Sequence, residues 1–208
     1  MSYLFALDPS LTSSGWALFC LKTLEPKKTG ILKALSTEFS LEQRLSDLQR
    51  QVRALYKDLE LSKNDYFICE GPAPLVLNPN SSMKVERVRG IFETLARESN
   101  IKMLGRINPR TVQSELMGLK GKQLERKEVK RIARDLANKM FSSYFVENKS
   151  NQDIVDAVLI GALVSSKLKM AKDTKVDLEV MFAPKKGGTK RRSKRWKESD
   201  ISRLRLRS

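Results

Sequence analysis

Two apolar segments of this chain end on an acid, Asp8 after Tyr3–Leu7 and Glu70 after Tyr66–Cys69, and a late helical segment opens with two more, Asp153 and Asp156. A carboxylate that ends a hydrophobic strand is costly to desolvate, and a divalent cation is one of the few partners that makes a cluster of them favourable. The chain must therefore fold so that three distant elements meet, and a metal site is the expectation for the meeting point. Each acid also has a plainer reading. Asp153 and Asp156 are three apart and share a helix face, where they would also complement the macrodipole, and Asp8 before Pro9 would serve as a turn cap. Glu70 has no such alternative, because nothing about a turn asks for Glu after Tyr66, Phe67, Ile68 and Cys69. The four together favour the site.

The surrounding pattern gives the scaffold. Tyr3–Leu7 and Ser14–Leu21 read as neighbouring strands, with a third predicted over Ile31–Phe39 beyond a Lys22–Gly30 loop. Leu41, Leu45, Leu48, Val52, Leu55 and Leu59 recur at helical spacing behind a capping-box pair, Ser40 and Gln43. Asp65–Cys69 is a strand broken by Gly71 and Pro72, so Glu70 sits at a carboxyl edge, where open α/β sheets place their ligands. A helix is predicted over Ser82–Glu98, a strand over Lys102–Ile107, and a helix from Asn108 and Pro109 to Gly118. Another helix carries Val129, Ile132, Ala133, Leu136 and Met140, and the last runs from Asn151 to Lys169. A meander followed by alternating helices and strands predicts an α/β fold, a mixed sheet with helices on both faces.

The 208 residues suit one core with an appendage: a domain over 1–171 and a basic, flexible tail over 172–208. Forty Lys and Arg against 24 Asp and Glu give a formal charge of +16, which asks for a polyanionic partner such as nucleic acid. Lys185–Arg207 holds eleven basic residues against Glu198 and Asp200, a local +9 that leaves +7 on the rest. The tail suits non-specific contact with a nucleic-acid backbone, with Trp196 stacking on a base, and equally a localisation or solubility segment. No apolar run nears the roughly 20 residues of a membrane span, and Tyr3–Leu7 is too short for a signal-peptide core, so an intracellular protein is expected. Cys20 and Cys69 stand apart in apolar runs and read as reduced core thiols. Histidine is absent, which excludes Ser-His-Asp and Cys-His triads, HExxH metalloproteases and any histidine base.

Leu4–Leu18 (LFALDPSLTSSGWAL), Asp65–Gly71 (DYFICEG) and Asn151–Leu163 (NQDIVDAVLIGAL) resemble the three acidic motifs of the RuvC family of Holliday junction resolvases. Ser82–Arg89 (SMKVERVR) with Gly90, and Arg110–Gly118 (RTVQSELMG) with Lys127–Leu136, are similar to the intervening helices of that family. The resemblance implies a ribonuclease H-like fold, a three-stranded antiparallel meander followed by parallel strands. It also implies a homodimer that places two active sites on a four-way DNA junction, with Asp8, Glu70, Asp153 and Asp156 as catalytic acids and metal ligands. Two Mg²⁺ about 4 Å apart would be held there, with Asp8 bridging them. They would activate water and stabilise the departing 3′ oxygen, leaving a 5′-phosphate and a 3′-hydroxyl. Mn²⁺ is expected to substitute.

Between Glu70 and Asp153 lies the densest basic run of the core: Lys120, Lys122, Arg126, Lys127, Lys130, Arg131 and Arg134. Lys127, Lys130, Arg131 and Arg134 share a face at helical spacing, which reads as a phosphate-binding surface, although the same charges suit a solvated helix face. Lys127 resembles the family's active-site lysine. Three departures, one of them the added basic tail, mark a divergent member; a cytoplasmic, nucleoid-associated protein is expected, with an organelle or a virus-infected cell as the alternative. The aromatic that family members carry shortly after the second acid has no counterpart in Gly71–Leu75, and Gln113 stands where a basic residue is expected. The acids alone do not choose a substrate, so a nuclease of flaps, branched DNA or RNA–DNA hybrids stays open. A non-catalytic junction-binding architectural protein does too.

Overall fold

A computed structural model of the protein describes residues 1–72, 79–120, 124–142 and 151–182. Five strands form one sheet: β1 (Tyr3–Asp8), β2 (Ser14–Cys20), β3 (Glu25–Leu32), β4 (Tyr66–Glu70) and β5 (Lys102–Ile107), in the order β3-β2-β1-β4-β5. The β3-β2-β1 pairs are antiparallel and the β1-β4-β5 pairs parallel. The expected mixed sheet, a meander followed by parallel strands, is what the chain builds.

The central strands are apolar at nearly every position because both sheet faces are covered. Leu4, Ala6, Ala17, Phe19 and Ile68 pack on one face, under α3 (Pro109–Glu115), α4 (Arg126–Met140) and α5 (Gln152–Thr174). Phe5, Leu7, Trp16, Leu18, Phe67 and Cys69 pack on the other, under α1 (Leu41–Asp58) and α2 (Pro79–Glu98). Strict alternation divides the residues between the two cores. The α1 capping box forms as expected, Gln43 N–H donating to Ser40 Oγ at 3.2 Å and Ser40 N–H to Gln43 Oε1 at 3.0 Å.

The third strand departs from the sequence reading. It spans Glu25–Leu32, the stretch that reads as a loop, and Ile31–Phe39 mostly leaves the sheet and leads into α1. Leu24 turns the chain tightly, with φ 59° and its N–H donating to Cys20 O at 2.8 Å. Pro26, Lys27 and Lys28 then lie on an edge strand, with Pro26 opposite Phe19 beside a register shift between Leu18 and Phe19. Proline and lysine are loop signals in a central strand, but at an edge or a bulge they are tolerated and deter further pairing.

The other helices shift modestly. α2 starts at Pro79, α3 ends at Glu115 rather than Gly118, and α5 passes its expected end at Lys169 to finish at Thr174. A short α6 (Leu178–Phe182) follows, and its Leu178 and Phe182 pack on the core. The basic tail from Lys185 to Arg207 lies outside the described residues.

Two glycines set how closely α5 approaches the sheet. A Cβ on Gly161 would come within 2.3 Å of the Phe19 ring, and one on Gly15 within 2.0 Å of the Asp153 backbone oxygen. Gly15 is also the residue paired with Asp8. It therefore seats the start of α5 against the end of β1. Gly15→Ala is expected to push the first turn of α5 away, lowering stability by about 3 kcal/mol, at the upper end of overpacking costs, and reducing any metal-dependent activity. Denaturant titration with a parallel metal-binding assay checks both.

Candidate metal centre

Cys69 lies opposite Leu7 in the parallel β1-β4 pair, so Asp8 and Glu70 follow as neighbours at two carboxyl edges. Leu7 and Cys69 face the α1/α2 core. Alternation therefore turns Asp8 and Glu70 to the opposite face, where α5 begins with Asp153 and Asp156. Asn151 caps that helix, its side chain accepting from Asp153 N–H at 3.0 Å. The four acids line one open cavity of about 520 Å³, opposite Arg126 and Lys130 of α4.

The electrostatics are those of a crowded anionic site. Burial pushes Asp8 well above the usual carboxylate range, reinforced by the charges of Glu70 and Asp156, a hydrogen bond shared with Glu70, and Asp153. Burial pushes Glu70 up to about 7, with Asp156 adding to the rise and the bond to Asp8 and the charge of Arg89 opposing it. Asp156 is raised by burial and by Asp153, and held back by Gln152, Lys130 and Arg126. Adjacent buried carboxylates that cannot all ionise are a signature of functional sites.

Among the described residues, no three acidic or cysteine side chains yet converge closely enough to hold an ion. The acids have other partners instead: Asp8 bonds Glu70, Ser13 Oγ donates to Asp153 Oδ2 at 2.6 Å, and Gln152 Nε2 donates to Asp156 Oδ1 at 2.9 Å. The donor set still fits a hard divalent cation. Its charged ligands are carboxylate oxygens, on a sheet edge and a helix start, and among the described residues no cysteine lines the cavity to favour a softer metal.

The basic run divides. Arg126 and Lys130 line the cavity and act on Asp156. Lys127, the base singled out from the sequence, is exposed and does not line it. Arg131 pairs with Asp135 at 3.2 Å, Arg134 turns to Gln152 at 2.9 Å, and Lys120 is exposed beyond α3. Of the predicted face over 127, 130, 131 and 134, Lys130 lines the cavity and Arg134 bonds Gln152, while Lys127 and Arg131 lie outside the cavity. The inward side of α4 is set by Ala133 and Ala137, whose small side chains let the helix lie close to α5. Lys122 and Ala73–Leu75, where the missing aromatic would fall, lie outside the described residues.

Four residues with a part in the site escape a reading of the sequence or change their meaning. Ser13 and Gln152 bond the helix acids, and the signal for Gln152 is its spacing of four from Asp156. Gln113, noted only as a departure, lines the cavity. Arg89, buried in α2, donates from Nε to the Glu70 carbonyl at 2.7 Å and pairs with Glu86 at 2.5 Å. Arg106 joins Glu86 to Glu93, which also accepts from Cys69. This clamp ties β4, α2 and β5 together behind Glu70.

No family model and no curated protein matches the sequence. Solved structures do. Thermus thermophilus RuvC in complex with a Holliday junction substrate superposes with a TM-score of 0.61 at 15% identity, covering 82% of this chain and 96% of that one. A second Thermus thermophilus RuvC structure gives 0.60 at 16%, covering 81% and 96%. The yeast mitochondrial Holliday junction resolvase gives 0.51 at 14%, covering 83% and 82%. The chain has a ribonuclease H-like α/β fold. Within that class its architecture is the RuvC type.

Proposed function

We propose that this protein is a structure-selective endonuclease that resolves four-way DNA junctions by paired, metal-dependent phosphodiester cleavage. The observation that carries the reading is the placement of Asp8 and Glu70 on adjacent strand ends, beneath Asp153 and Asp156, in a cavity faced by Arg126 and Lys130. Asp8, Glu70, Asp153 and Asp156 would hold two Mg²⁺, or Mn²⁺ in their place. When bound, the ions supply an activated water and charge stabilisation at the departing 3′ oxygen. Arg126 and Lys130 supply fixed positive charge on the opposite wall, where a scissile phosphate is attracted and oriented. Lys127, Lys120 and Arg131 would meet the backbone further out. The products are a 5′-phosphate and a 3′-hydroxyl.

Paired cuts need two active sites, so the acting form is a homodimer on branched DNA, and the solved relatives of this fold include one bound to a Holliday junction. No helix among the described residues is long and apolar enough to cross a membrane. Association with DNA, in a cytoplasm, an organelle or an infected cell, is the setting the charge favours.

A panel of four-way junction, flap, plain duplex and RNA–DNA hybrid in Mg²⁺ tests substrate choice. Symmetric cuts concentrated on the junction support the reading. Preference for flap or hybrid would move the function to another nuclease of the same fold, and tight junction binding without cuts to an architectural protein.

A further inference from the structure

One buried polar side chain in the first turn of α5 has no part in the chemistry above. Gln152 is only 8% exposed. Its amide bonds in two directions: Arg134 Nε donates to Oε1, and Nε2 donates to Asp156 Oδ1, both at 2.9 Å. A guanidinium has only donors and an ionised carboxylate only acceptors, so the amide between them has one satisfactory orientation. Flipping it would set donor against donor and acceptor against acceptor.

We propose that Gln152, locked in that orientation by Arg134, is a positioning residue that fixes Asp156 for cation binding, so that Arg134 acts inward on the metal centre and not as a contact to DNA. The proposal rests on the metal-site reading above. The amide holds one oxygen, Oδ1, of a carboxylate that lines the cavity. The helix spacing agrees, since Arg126, Lys130 and Arg134 follow one another at intervals of four along α4. The first two face the cavity and the third supports its wall. Asp153 is treated similarly, with Ser13 Oγ holding one of its oxygens. Groups that orient a metal ligand from behind typically change metal affinity by about 10- to 100-fold when removed.

The test uses the full chain and its Gln152→Ala, Arg134→Met and doubly substituted variants. Mn²⁺ affinity is read by electron paramagnetic resonance, junction affinity in EDTA, and folding by thermal unfolding. Arg134 is exposed at the surface of α4, so Arg134→Met leaves the core intact even if Gln152→Ala disturbs it. Each single variant is expected to weaken Mn²⁺ binding about tenfold or more, and the double variant no further than Gln152→Ala, because the two act in series. Junction affinity in EDTA should stay unchanged in Arg134→Met. Arg134→Lys, which keeps a donor, should recover much of the Mn²⁺ affinity. Unchanged Mn²⁺ affinity with weakened junction binding in Arg134→Met would make it a phosphate contact and overturn the proposal, as would losses that multiply in the double variant. A wild-type protein that binds no Mn²⁺ would overturn the metal-site reading itself, a different result from variants that bind as well as wild type.

Discussion

Asp8→Asn is expected to remove the proposed junction cleavage and at the same time to raise the melting temperature of the metal-free protein. The two effects have one cause. Asp8 ends β1 where burial and three other acids all disfavour its charge, so the amide relieves a repulsion that the folded chain otherwise contains. A stabilisation of about 1 kcal/mol moves the midpoint of a domain this size by about 3 °C. Activity moves the other way, because one of the carboxylates proposed to hold the ions is gone. Loss of a single transition-state stabiliser costs about 10²- to 10³-fold, and loss of a metal ligand at least as much. Thermal unfolding in EDTA and single-turnover cleavage in Mg²⁺ measure the pair. A variant that is both inactive and destabilised would point to ordinary structural damage.

The stability of the metal-free protein is expected to fall as pH rises from 5 to 8, and Mg²⁺ to restore it. Asp8, Glu70 and Asp156 all bind protons more tightly in the folded chain than in the unfolded one. Their neutral forms are therefore favoured by folding. That contribution is fully present below the unfolded carboxyl value, about 4, and is lost as pH rises through the folded values. For Glu70 the folded value is about 7. Glu93, held below the usual range mainly by its hydrogen bond to Arg106, behaves oppositely and loses its contribution only as pH falls below that of an ordinary carboxyl. It does not offset the acids between pH 5 and 8. A cation held by the cluster favours its ionised form, and a ligand at a hundred times its dissociation constant adds about 2.7 kcal/mol. Melting temperatures across that range, with EDTA and with Mg²⁺, test this. A flat profile without metal would mean the carboxylates do not repel one another as placed.

The site acids were legible because each stands at an element boundary where nothing local explains it, and Glu70 most of all. The helices of the α1/α2 face were legible from spacing alone, since large side chains such as Leu48, Val52 and Phe92 mark their buried stripes. α4 was legible as a helix too, although the side that faces α5 is set by the small Ala133 and Ala137 while Met140 is 41% exposed. Which of its bases reach the cavity was not: Arg126 and Lys130 line it, and nothing in the spacing separates them from Lys127, which the family resemblance singles out. β3 was not legible either. The properties that make Pro26 and Lys27 good edge residues make them look like a loop until their neighbour is known. The Arg89, Glu86, Arg106 and Glu93 clamp joins three elements, and only the assembled sheet brings them together.

Mapping the cuts on a synthetic four-way junction, for the wild-type protein and for Asp8→Asn, in Mg²⁺ and then in EDTA, tests the central claim most directly. The account predicts symmetric paired cuts bearing 5′-phosphates, present only with Mg²⁺ and only in the wild type. Cuts that survive EDTA or the Asp8 substitution would contradict it.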